Sequence, residues 1–66
     1  MILQIIYDND VYTMFQLKDD KKQIKIAEEI VKLVRGTKFQ DDKIYCPNLH
    51  CAKLIAAYYR SEINDR

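Results

Sequence analysis

Sixty-six residues, 48% of them hydrophobic and with one Gly and one Pro, make a single packed domain over residues 1–66 and exclude a disordered or loop-rich chain. A net charge of +1 excludes the global field that draws basic proteins to nucleic acid or anionic membranes. Two cysteines make no disulfide framework, and no run approaches the ~20 apolar residues of a membrane span.

The run Met1 to Tyr7 is apolar but has no charged leader or cleavage site, so no signal peptide is expected and the cytoplasm is the expected compartment. Ile and Lys are abundant while Ala, Gly, Arg and Pro are scarce. That bias is typical of AT-rich coding DNA, as in low-GC bacteria and their phages and plasmids.

Residues 2–7 and 11–17 are rich in β-branched and aromatic types and flank Asp8-Asn9-Asp10, which is turn chemistry. They predict a β-hairpin, although its turn lacks the usual glycine. Alternation puts Leu3, Ile5 and Tyr7 on one face, with Val11, Thr13, Phe15 and Leu17 sharing a face of the second strand. The opposite face carries Ile2, Ile6, Tyr12 and Met14 beside Gln4 and Gln16. Its apolar content predicts that it too is covered.

Residues 19–35 predict an amphipathic helix, capped by Asp19 or Asp20 and followed by Gly36. Ile24, Ile26, Ala27, Ile30, Val31, Leu33 and Val34 fall within one half of it at ~100° per residue. Lys21, Lys22, Lys25, Glu28, Glu29, Lys32 and Arg35 fall within the other, where Glu28 and Lys32 have favourable i,i+4 spacing. Residues 18–38 hold seven Lys/Arg against four Asp/Glu. Lys21, Lys22, Lys25, Lys32 and Arg35 are therefore a candidate nucleic-acid face. The interleaved glutamates weaken it, because phosphate binding depends on uncompensated positive charge.

Residues 37–45 read two ways. Asp41-Asp42 is a turn, and Lys43 to Tyr45 can form a third strand, with Phe39 and Ile44 plugging the core edge. Residues 47–63 predict a second helix with Pro47 in its first position. Its apolar side, from Leu49 to Ile63, covers more than half the circumference.

One cluster has chemical character: Cys46-Pro47-Asn48-Leu49-His50-Cys51. A helix starting at Pro47 would set Cys46 and His50 on one face and lower the Cys46 thiol's pKa, while Cys51 turns to the apolar side. Nothing supplies an orienting acid or an oxyanion hole, and a closed zinc site needs four ligands where one chain offers three. His50 is the single histidine, and no glycine-rich phosphate loop is present. No enzyme, cofactor or metal site is expected.

The expected architecture is α+β, β-β-α-(β)-α: a small antiparallel hairpin or three-stranded sheet packed with two helices. The expected function is that of a non-enzymatic protein-interaction module, with a small phage or mobile-element protein that binds and inhibits a host factor as the analogue. Tyr58, Tyr59, Arg60, Tyr12 and Met14 are the expected partner contacts, because Tyr and Arg are enriched at hot spots. A homodimer is also expected. Below ~70–80 residues one core rarely supplies more than ~3–5 kcal/mol. Ala52 and Ala56, with Ile63, would permit close helix crossing at a two-fold axis. A small nucleic-acid-binding protein is the alternative.

Overall fold

The computed structural model describes residues 1–64, with side chains through residue 62. The chain runs β1 (Ile2–Tyr7), β2 (Asp10–Gln16), α1 (Asp20–Leu33), β3 (Lys38–Gln40), β4 (Lys43–Cys46) and α2 (Leu49–Asn64). This is the expected α+β class with one strand more than expected. The four strands form one sheet in the order β2-β1-β4-β3. The sheet is mixed rather than antiparallel, because the central pair β1–β4 is parallel while β1–β2 and β3–β4 are antiparallel.

Each hairpin closes through a two-residue turn with both central φ angles positive, at Asp8 and Asn9 (56° and 61°) and at Asp41 and Asp42 (53° and 62°). Those are the φ signs of a type I′ turn, whose twist matches that of the flanking strands. Asp and Asn tolerate the left-handed region through local hydrogen bonding, which is how both turns form without glycine.

The β1–β2 register steps between Ile5, opposite Thr13, and Ile6, opposite Val11. This β-bulge leaves Tyr12 without a cross-strand partner. It also moves Val11, expected on the inner face, across from Ile6 on the outer one.

Asp19 caps α1, its Oδ1 accepting from the Lys22 N–H at 3.1 Å. At the other end the Thr37 hydroxyl donates to the Val34 carbonyl at 2.6 Å, closing the helix where the chain turns into β3. Gly36 makes that turn with φ +87°, and a Cβ there would lie 3.0 Å from Pro47 Cγ, so the position is closed to larger residues. α2 starts later than expected. Asn48, not Cys46, is its cap, with Oδ1 accepting from the Cys51 N–H at 2.9 Å.

Both helices lie on one sheet face. Leu3, Ile5 and Ile44 of the strands meet Ala27 and Ile30 of α1 and Ala52, Ile55 and Tyr59 of α2 in one buried cluster. Ile5 and Ile44 are directly paired across the parallel ladder at its centre. The second sheet face is not covered as expected: Ile2, Val11, Met14 and Tyr45 are all exposed on it or at its edge.

Two outcomes follow. Asn9→Gly and Asp42→Gly relieve the left-handed strain and should each raise stability by up to about 1 kcal/mol, read as a higher urea midpoint at unchanged slope. Ile44→Ala should cost about 2–4 kcal/mol, most of the ~3–5 kcal/mol available to a core of this size. Circular dichroism of that variant should therefore show a much lower unfolding temperature and a measurable unfolded fraction at 37 °C.

Candidate functional site

The two helices lie side by side on the sheet, and the seam between them is open to solvent. A groove of about 270 Å³ runs along it. Ile26, Ile30, Leu33 and Val34 form one wall, and Leu54, Ile55 and Tyr58 the other, with Glu29 the single charged side chain among them. The α1 wall is the i, i+4, i+7, i+8 stripe of an amphipathic helix.

The stripe is only half covered because the strand beneath α1 is β3, three residues long. Ala27 and Ile30 reach the core, but Leu33, expected with them on the buried half, is 83% exposed. Across the seam Leu54 is 49% and Tyr58 43% exposed. A volume of this size lies below the ~300–1,000 Å³ of small-molecule sites and suits a few aliphatic side chains.

Tyr59 fixes the geometry of the α2 wall. Its ring stacks on Phe15 of β2 at 6.0 Å between centroids and 26° between planes, and meets Tyr58 edge-on at 6.0 Å. Its hydroxyl donates to the Gln23 carbonyl of α1 at 3.4 Å. Burial first, then the charges of Tyr58 and Glu62, pushes its ionisation well above the ordinary tyrosine range. Gln23 is itself buried on α1, with its Oε1 lacking a hydrogen-bond partner among the described residues.

The residues expected to contact a partner separate into distinct places. Tyr58 and Arg60 are exposed on α2, while Tyr12 and Met14 are exposed on β2. Tyr59 is fully buried and cannot meet a partner. The α2 dimer axis also needs correction. Ala52 and Ala56 are both fully buried within their own chain, and Ala52 belongs to the cluster in which α2 meets the strands. The Ile63 side chain, expected at the same axis, lies outside the described residues.

Lys21, Lys22, Lys25, Lys32 and Arg35 are all exposed. Among the described residues the only ion pair joins the Met1 amino group to Asp20 Oδ1 at 3.0 Å, so the expected Glu28–Lys32 pair is not formed.

The cysteine cluster is organised differently from the expectation. Cys46 ends β4 and lies outside the helix, so it shares no helical face with His50 and gains nothing from the dipole of α2. Burial first, then the neighbouring Cys51, pushes its thiol up from 9.0 to about 11. Cys46 is therefore a half-buried thiol whose neutral form is favoured, where a lowered pKa was expected. Among the described residues no group of three or more His, Cys, Asp or Glu side chains converges as a metal site, and no helix is long and apolar enough to cross a membrane. Comparison with protein-family models, curated proteins and solved structures finds no match.

The raised thiol sets a pH dependence. The folded chain keeps the Cys46 proton where the unfolded chain releases it, so stability is fully present below about pH 9 and falls as pH rises towards about 11. Urea midpoints across that window should fall with pH, and Cys46→Ala should flatten the slope. Iodoacetamide at neutral pH should label Cys46 far more slowly in the folded than in the urea-unfolded chain. Equal rates would contradict its partial burial and raised pKa.

Proposed function

We propose that this chain is a non-enzymatic interaction module that binds a protein through apolar side chains which its own core cannot cover. The observation that carries the reading is Leu33, 83% exposed at the mouth of an apolar groove that also shows Leu54 and Tyr58 to solvent. Isolated exposed leucines are ordinary; several lining one groove mark an interaction site. Occupying a partner's surface in this way is the mode of action of a small inhibitor of a host factor. Leu33 and Leu54 support the reading from the groove side, and Met14 extends the exposed apolar surface on the opposite side.

One observation favours a second reading. The cations Lys21, Lys22, Lys25, Lys32 and Arg35 are exposed, and none forms an ion pair among the described residues, so α1 offers nucleic acid a freer basic face than expected. Glu28 and Glu29 interrupt it, and the net charge of +1 gives no long-range attraction.

Retention experiments from native cell extract separate the two. The tagged chain should hold a protein through a high-salt wash, and Leu33→Gln with Leu54→Gln should release it. Both side chains are exposed, so the double variant keeps its fold. Retention of nucleic acid that is stripped by salt, and abolished by Lys25→Glu with Lys32→Glu, would establish the second reading instead.

A further inference from the structure

Resting on the protein-binding reading, we infer that the groove between α1 and α2 receives an amphipathic helix of the partner, whose apolar stripe is bordered on one side by acidic residues. Length gives the first reason. Ile26 to Leu33 covers seven residues, about 10 Å at 1.5 Å per residue. An incoming helix with apolar residues at i, i+3 or i+4, and i+7 spans the same distance, which is the pattern read by helix-in-groove sites. The groove's volume of about 270 Å³ holds a few such side chains.

Shape gives the second reason. The two walls come from different helices, and a cleft of that kind is one into which a third helix packs by ridges and grooves. A flat ligand would leave the walls of the cleft uncovered.

Charge gives the third. Along α1, residues 22, 25, 29 and 32 are spaced by three and four and so form one row beside the groove wall. That row holds three exposed lysines against one glutamate, Glu29. On α2 the exposed border positions Ala57 and Ser61 are neutral, and the one carboxylate near that wall, Glu62, lies a turn beyond Tyr58 at its end. A helix seated in the groove therefore meets net positive charge on its α1 side, and carboxylates there are complementary. The same row disfavours a second copy. Two grooves facing each other across a two-fold axis that sets α1 against α1 would bring Lys22, Lys25 and Lys32 of both chains into one seam.

Fluorescence polarisation with labelled synthetic helices of about 18 residues, long enough to fold in part on their own, tests this. The first probe carries leucines at i, i+4 and i+7 with glutamates along one border. The second replaces those glutamates with lysines, and the third keeps the glutamates but replaces the leucines with glutamine. The acidic leucine helix should bind about tenfold or more tightly than either control, a difference of about 1.4 kcal/mol. Leu33→Gln with Leu54→Gln should weaken it by a similar factor. Lys25→Glu with Lys32→Glu should weaken the acidic probe and strengthen the basic one, with unchanged urea midpoints because all four positions are exposed. Equal binding of acidic and basic helices, or binding of neither, overturns the inference. So does a preference for phosphatidylglycerol vesicles over the acidic helix. Failure here, with retention of a native protein still dependent on Leu33 and Leu54, removes the acidic helix and leaves protein binding in place. Retention indifferent to both leucines removes the broader reading.

Discussion

Tyr59 is the side chain on which the arrangement of layers depends. It is fully buried, its ring lies on Phe15 of the sheet, and its hydroxyl reaches the backbone of α1 at Gln23. One residue thereby ties α2 to the strands below and to the helix beside it. A buried aromatic of this size supplies a large share of a small core's apolar area, and its hydroxyl needs the partner that Gln23 provides. Fixing Tyr59 inward also fixes what comes out. Tyr58, about 100° around the helix, is directed edge-on to Tyr59 and towards the seam with α1. The groove wall on α2 is thus a consequence of the same contact that builds the core.

The second constraint is the number of layers. One layer of two helices covers one face of the four-stranded sheet, and no helix among the described residues lies on the other. The outer face consequently keeps Ile2, Met14, Val11 and Tyr45 in contact with water, set among Gln4, Gln16 and Lys43. The register step at Ile5 adds Val11 to that face and increases the local twist of β2, the longer of the two edge strands. Bulged and polar edges resist pairing with other sheets, and the other edge, β3, is short and starts with Lys38. Val11, Tyr12 and Met14 stand exposed on β2 itself, so at that edge the bulge rather than polarity is what opposes pairing.

Electrostatics here is a surface matter. The basic side chains of α1 stand in solvent, and the one ion pair among the described residues sits where the chain start meets the first turn of α1. Exposed pairs contribute little to stability, typically below ~1 kcal/mol. The lysines of α1 therefore have little bearing on folding, and their spacing beside an apolar groove bears on what approaches it. The thiol of Cys46 is the opposite case, a group whose neutral form is favoured by the environment that the fold gives it.

Local patterning in the sequence determined the elements that depend on neighbouring residues. The first hairpin, the turn at Asp41-Asp42, the α1 cap at Asp19 and the amphipathic character of both helices all follow from propensity, turn chemistry and period. The strand Lys38–Gln40 was illegible, because three residues carry no periodicity and only pairing with β4 makes them a strand. α2 starts two residues after Pro47, because Pro47 and Asn48 both suit a helix start and the Cys51 N–H decides between them. What the tertiary structure alone decided is which apolar side chains are covered. Period assigns a residue to a face of its own helix but does not say how far the opposing layer extends. Period places Leu33 on the buried half of α1, yet it stands in solvent at the edge of the stripe, above a strand only three residues long. Ala52 and Ala56 looked free for a second chain and are fully buried within their own. Burial depends on contacts between residues far apart in the chain, and no local pattern encodes the size of the partner surface.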